Sequence, residues 1–562
     1  MSLLGTIQQS KSAIDVAQIG LQVVGNNVAN ANTPGYIRQQ LQQSSAVAVR
    51  DGGLIKGLGV RATGIVQVVD QAHFERMLGA KTAVAGAEAL EKAYSQLEEL
   101  SNDLDNSGLS QQFSLFNNAV HELSTQPGDA SLREFVILQG ETLTGNLRRA
   151  REQASDRLQA WDGELKDVAS DINRLTTRIA KLNLDIATIE GGGLVHSDAT
   201  GLRDQRYLAL EELAQFVNVN VQEQESGAVS VFVGGDYIVN DGINRLVKSG
   251  YSEELDAQEI RIVETDSPLQ VTGGQLAATA EARDGIFGDY IDNIDRMASA
   301  LIRSVNEVHS QGQGRKGYQE VLSSVKGNAN VPLANADLAW EPKNGTFDMS
   351  VVDSSGDVIS THRIKVRNLG QVTDSTMSSI VVDIDAIEGI SASVTSDGRI
   401  EILSDSHTSS FTFGEDTSGF LAAAGINTFF VGRDATDINV SEALRLDSDL
   451  LAVSAGGIGE DTDVLASMLD LVDRPQDSLD GRSVRGIYEG TIAGVAQKIS
   501  LQNSEADGLR DFYATLQSQH LAITGVNIDE ESIKMITYQR AFQASSRVIS
   551  TATEMLDILM NL

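Results

Sequence analysis

Seven histidines, at 73, 121, 196, 309, 362, 407 and 520, are the side chains best able to ligate a metal or move a proton near neutral pH. None stands in an HExxH or comparable ligand spacing, and the chain has neither a GxSxG elbow nor a P-loop. One GxGxxG occurs, at Gly312, Gly314 and Gly317. It follows a predicted helix, whereas a dinucleotide site needs strand, turn and helix in that order, so it reads as a flexible exit from that helix. Asp383 and Asp385 alternate on a predicted strand and read as its solvated face; with Glu388 and His362 they form no recognisable acid–base spacing. No catalytic residue, metal ligand or cofactor-binding residue is assigned, and no cofactor is expected.

The densest polar motif is GNNVANANTPGYIRQ, residues 25–39. Asn26, Asn27, Asn30 and Asn32 carry side chains that bond nearby backbone and tolerate left-handed conformations, so they end a helix. Thr33-Pro34-Gly35-Tyr36 then fits a type II turn, with proline fixing φ and glycine supplying the positive φ that follows. Four asparagines exceed what a loop requires, and from physics alone their contact role stays unassigned.

Apolar steps of three and four place the helices around that motif. Leu3, Ile7, Ser10, Ile14, Ala17, Leu21, Val24 and Val28 form one stripe, and Met535, Tyr538, Phe542, Ser545, Ile549, Ala552, Leu556 and Leu559 another. Internal seams run through 158–189, 287–308 and 492–516, and only six prolines interrupt the chain. Such narrow stripes suit helix-on-helix packing, the terminal two on each other or on neighbouring subunits. Residues 36–70 and 216–263 contain short β-like runs such as Val229–Val233. From about 316 to 440 the seams give way to alternation in Thr346–Val352, Ile364–Val366, Ile380–Ile384 and Ile400–Leu403. Turn signals there are Asn344-Gly345, Ser355-Gly356 and Asp397-Gly398. The fold class is mainly α with inserted β: terminal helices pairing as a coiled coil, a helical-bundle body with small β elements, and a β-rich domain inserted in the body.

At 562 residues the chain has room for roughly three to four domains. Its 43 Lys and Arg against 78 Asp and Glu leave a net charge of −35. That balance disfavours nucleic acid and anionic membrane surfaces as partners. Cysteine is absent, which excludes disulfides, thiolate metal sites and cysteine nucleophiles. The opening has no basic segment followed by an apolar one, and no run approaches the 18 apolar residues of a spanning helix, so the default location would be the cytoplasm.

The segment Asn26–Gln39 resembles the N-terminal signature of the flagellar axial proteins, the rod, hook and hook-associated families, and Gly525–Leu562 resembles their C-terminal signature. Residues 201–219, 273–285 and 299–314 are similar to the hook–filament junction members rather than to hook or rod proteins. The resemblance covers about 1–315 and 440–562; residues 316–439 lie outside it. It implies a non-enzymatic structural protein, exported unprocessed through the flagellar type III apparatus and placed extracellularly between hook and filament. Implied partners are further copies of itself, hook protein, hook-associated protein 3 and an export chaperone.

Three domains are expected. A terminal assembly domain takes 1–65 and 520–562, a helical body 66–315 and 440–519, and a β-rich outer domain 316–439. The expected assembly interface consists of Leu3, Ile7, Ile14, Leu21, Val24, Val28, Met535, Tyr538, Phe542, Ile549, Leu556 and Leu559, with Asn26, Asn27, Asn30, Asn32, Pro34, Gly35 and Tyr36 of the turn. The alternatives are a hook or distal rod protein, or an axial protein carrying an enzyme in 316–439.

Overall fold

Long apolar seams become long helices in the computed structural model, which describes residues 3–47, 49–51, 54–101, 108–190, 199–252, 257–459, 461–469, 471–476 and 479–560. His196 lies outside the described residues. The helices in chain order are α1 (Leu3–Ala29), α2 (Gln71–Ser101), α3 (Leu109–Thr125), α4 (Ala130–Glu190), α5 (Thr200–Phe216), α6 (Gly274–Glu281) and α7 (Asp289–His309). After the short α8 (Met377–Asp385), α9 (Phe420–Ala424), α10 (Glu442–Leu446) and α11 (Asp463–Leu469) come α12 (Val484–Thr524) and α13 (Ile528–Met560). A π-helical turn, Ala282–Gly288, joins α6 to α7. No described helix is long and apolar enough to cross a membrane.

The chain divides into two compact units. The first comprises Met1–Ala93, Ala160–Asp284 and Ser500–Leu562. Its core is the seam foreseen on α4: Leu165, Val168, Ile172, Leu175 and Ile179 are buried with Leu210 and Leu213 of α5 and Phe74 of α2. Two antiparallel sheets close over that core, contributing Val231, Val239 and Ile262. Strand Gln39–Ser45 pairs antiparallel with Val60–Gln67, with a register shift between Gln42 and Gln43. Burying a Leu or Ile of such a seam contributes about 1.5–3 kcal/mol, which is why tertiary packing rather than propensity holds helices of this kind.

The second unit comprises Tyr94–Gln159 and Gly285–Ile499. Strand Gly345–Asp353 lies between Val358–Val366 and Ser409–Gly414, and Ile400–Ser404 lies between Glu320–Leu322 and Ile390–Val394. Phe347, Met349, Ile380, Ile384, Ile402, Phe411 and Phe413 form their common core. Positive φ at Gly356 and Gly398 makes the two predicted hairpin turns; Asn344-Gly345 instead leads into a strand.

Two expectations are corrected here. Ile380–Ile384 is helical, not a strand, because Met377, Ile380, Val381 and Ile384 make a buried stripe at steps of three and four. Thr376 and Ser379 cap it reciprocally: the Thr376 hydroxyl accepts the Ser379 N–H at 3.1 Å, and the Ser379 hydroxyl accepts that of Thr376 at 2.9 Å. Asp383 and Asp385 therefore sit on an exposed helix face. The glycine-rich exit after α7 is not a flexible linker either. A Cβ on Gly312 would stand 2.6 Å from Val464, and one on Gly317 would stand 2.5 Å from the Ser410 hydroxyl. Backbone bonds from Gln313 to Ser454 (2.8 Å) and from Tyr318 to Phe411 (2.8 Å) fix the path. These glycines permit close approach of backbone.

Candidate functional site

The terminal helices pack on each other antiparallel. Asn27 of α1 meets Glu531 of α13, and seven residues back Gly20 meets Tyr538, seven residues on. Gly20 makes this possible, since a Cβ there would lie 2.6 Å from the Tyr538 ring. The buried side of α1 is Ser10, Val16, Ala17, Gly20, Val23, Val24 and Asn27. The foreseen stripe is thus turned slightly about the helix axis: Val24 and Asn27 are buried, while Leu3, Ile7, Ile14, Leu21 and Val28 are half-buried. Small residues face the partner where the helices approach most closely, and larger ones flank them. On α13, Met535, Tyr538, Phe542, Ile549 and Leu556 are half-buried and Ala552 is buried, but Leu559 is exposed.

The asparagine-rich turn is knitted into the same unit rather than standing free. Fully buried Asn27 uses its whole hydrogen-bonding capacity. Its Nδ2 donates to the Gln39 carbonyl at 2.9 Å and to Glu531 Oε2 at 3.0 Å. Its Oδ1 accepts the Gln39 N–H at 2.9 Å and the Tyr36 hydroxyl at 2.8 Å. Glu531, also fully buried, takes the Lys534 ammonium on its other oxygen at 2.6 Å. Asn26 Nδ2 donates to Gln39 Oε1 at 3.2 Å, and Asn30 Nδ2 donates to the Asn26 carbonyl at 2.9 Å, closing the helix end. The Tyr36 N–H donates to the Thr33 carbonyl at 3.2 Å and Gly35 has φ +75°, as the type II turn requires. Asn32, Pro34 and Gly35 are exposed.

A second set of bonds ties the turn to α5. Asp204 Oδ1 accepts the Ile37 N–H at 3.2 Å and Gln67 Nε2 at 2.5 Å. Gln39 Nε2 donates to the Thr200 hydroxyl at 3.0 Å. Burial pushes the Asp204 carboxyl up to about 6 against those two stabilising donors. Burial, then Asp204 and Glu531, push the Tyr36 hydroxyl up to about 12, so it remains a donor. A cleft of about 300 Å³ behind the turn is lined by Pro34, Tyr36, Phe74, Tyr207, His520 and Leu521.

Gly20 escaped the sequence reading, and Gln39, Asp204 and Glu531 entered it only inside longer segments, with no role of their own. Glu531 lay in an acidic first turn of α13, where carboxylates are ordinary, and a lone glycine in a helix signals nothing until its neighbour is known. The acid–base candidates of the β-rich segment do not converge. Asp385 Oδ1 accepts the Ala392 N–H at 2.9 Å, and His362 Nε2 bonds the Ser360 hydroxyl at 3.2 Å on its own strand. Among the described residues no three His, Asp or Glu side chains gather as a metal site.

Comparison with known proteins gives three family-model matches: the flagellar hook-associated protein FlgK helical domain over 94–321, the flagellar basal body rod FlgEFG protein C-terminal region over 517–562, and the flagella basal body rod protein over 7–36. The chain is 21% identical to flagellar hook-associated protein 1 of Escherichia coli (strain K12) and 23% identical to that of Salmonella typhimurium, each over 99% of both chains. With that of Bacillus subtilis it shares 25% identity over 67% of this chain and 82% of the relative. Its fold is similar to the flagellar hook junction protein FlgK from Burkholderia pseudomallei, with TM-score 0.50 and 14% identity, covering 80% of this chain and all of that one.

Proposed function

We propose, from the premise that the chain belongs to the flagellar hook-associated protein 1 family, that it is a structural component of the bacterial flagellum at the hook–filament junction. The observation that carries this reading is the antiparallel terminal pair with its asparagine-rich turn, closed internally yet leaving an apolar face of α13 uncovered. A subunit built in this way has surface in reserve for a lattice. The chain works without catalysis, as a mechanical adaptor. It assembles with further copies of itself and contacts hook protein on one side and hook-associated protein 3 on the other. It leaves the cell through the flagellar export apparatus without a cleaved signal, an export chaperone masking the α13 stripe beforehand. The residues 316–439 form its outward domain, 1–65 with 520–562 its assembly domain, and 66–315 with 440–519 its body. Of the nineteen stripe and turn residues of the terminal segments, Val24 and Asn27 hold the terminal pair together from inside, and the other seventeen border its assembly interface.

A hook or distal rod protein is the second reading, sharing both terminal segments; the match over 94–321 favours the junction protein. A single cysteine at Val372, which is 97% exposed, allows the test, because the native chain has none. Labelled flagella stripped of filament should carry the signal only at the distal tip of the hook, and Phe542→Asp should be secreted but absent from the tip. Label along the hook, or wild-type motility in a deletion strain, would refute the proposal.

A further inference from the structure

Two helical ridges of the first unit have no described residue packed over them. On α13, Ile533, Ile536, Arg540, Ala544, Val548, Thr551, Met555 and Ile558 follow steps of three and four, all exposed, with Ile533 66% and Ile558 62% accessible. This ridge lies on the other side of α13 from Tyr538 and Phe542. On α12, Leu501, Glu505, Gly508, Phe512, Thr515 and Gln519 follow the same spacing, with Leu501 68% and Phe512 55% accessible. It runs beside the buried Gln502, Ala506 and Leu516, about a quarter turn round the helix. Gly508 leaves a hollow between Leu501 and Phe512, since a Cβ there would meet no atom within 4 Å. Ala544 is the small residue of the α13 ridge.

The charges on the two ridges are opposite. Arg540 and Arg547 flank Ala544, while Glu505 and Asp511 flank Gly508, and none of the four has an ion-pair partner among the described residues. Pairing α13 with α13 across a symmetric contact centred on Ala544 would set arginine against arginine, and α12 with α12 centred on Gly508 would set acid against acid, which is unfavourable in a dehydrated seam. We infer that the α13 ridge of one copy packs on the α12 ridge of a second copy, Ala544 seated at the Gly508 hollow and the two arginines facing Glu505 and Asp511. Both halves of the match reside on one chain, so the occupant is another copy. The contact is head-to-tail, which adds copies without closing a dimer. It deepens the assembly reading and rests on it.

The full chain with only Ala544→Cys is mixed with the full chain with only Gly508→Cys and oxidised where the unmodified chain self-associates by light scattering. The mixed disulfide should exceed either homodimer at least tenfold. Arg540→Glu with Arg547→Glu should weaken association more than tenfold, and a partner carrying Glu505→Arg and Asp511→Arg should restore it. These side chains are exposed, and unchanged circular dichroism verifies folding. A dominant Ala544→Cys homodimer, or associated chains with neither cross-link, overturns the ridge pairing while the junction reading stands. Chains that reach the hook tip yet never self-associate overturn it as well, assigning the ridge to a different protein. Label absent from the tip refutes the junction reading itself.

Discussion

Asn27→Asp changes one atom type and should open the terminal helix pair. An oxygen replaces Nδ2, now facing the Gln39 carbonyl formerly at 2.9 Å and the Glu531 carboxylate formerly at 3.0 Å. A hydrogen bond to a charged group contributes about 1.5–3 kcal/mol, and an orphaned buried carbonyl costs a further 1–3 kcal/mol or so. Two carboxylates about 4 Å apart repel by roughly 4 kcal/mol at an effective dielectric of 20 unless one takes up a proton. The sum is at least about 4 kcal/mol near neutral pH, or about a thousandfold in the population of open pairs. Ala17→Cys supplies a buried reporter on the α13-facing side of α1 in a chain without native cysteine. Its labelling rate, normalised to an exposed cysteine, should rise by about 10³ in the Asn27→Asp background. The effect should shrink in mild acid, where a protonated Asp side chain can again donate to Glu531. Asn26→Asp, at an exposed position, should change the rate less than fivefold. Equal rates in Asn27→Asp and the parent would show that the network does not hold the helices together.

Gly20→Ala forces α1 and the Tyr538 ring apart and should cost about 1–3 kcal/mol by the same labelling assay, with Tyr538→Leu restoring much of it. Fully buried His309 bonds the Asn427 carbonyl through Nδ1 at 2.9 Å and accepts the Ala452 N–H on Nε2 at 3.0 Å, and burial lowers its pKa to about 4. The unfolded chain protonates first, near 6.5, so the second unit should lose about 2 kcal/mol between pH 7 and pH 5 in urea titrations. His309 should stay neutral by NMR over that range. Asp204 has the opposite sign: its folded carboxyl titrates near 6, so its burial penalty grows as pH rises from about 4 to 6. Asp204→Asn keeps the Oδ1 acceptor and should stabilise the first unit by about 1 kcal/mol at pH 8, after allowing for solvent screening, with no gain at pH 4.

The sequence by itself determined the long helices, because a stripe at steps of three and four records which side of a helix leaves water wherever its partner stands. Leu165 to Ile179 on α4 are buried as their spacing required. It determined the turn at Thr33–Tyr36 as well, since proline and glycine restrict φ locally. Tertiary structure alone decided what depends on a partner remote in sequence. Asn27 reads as a helix stop until Glu531 arrives 504 residues later to take its second donor. The α13-facing side of α1 centres on Gly20 because closeness of approach depends on the opposing ring as much as on hydrophobicity. Ile380–Ile384 has a composition either strand or helix would accept, and the Thr376–Ser379 cap with its buried stripe settled it. Phe429 and Phe430 fall within the expected β-rich domain, 316–439. Yet the Asn306 side chain of α7 accepts both their N–H groups, at 3.0 and 2.9 Å, and Phe429 packs on Phe116 of α3. Periodicity reports a residue's own burial, not the identity of its neighbour, and each of these outcomes turned on the neighbour.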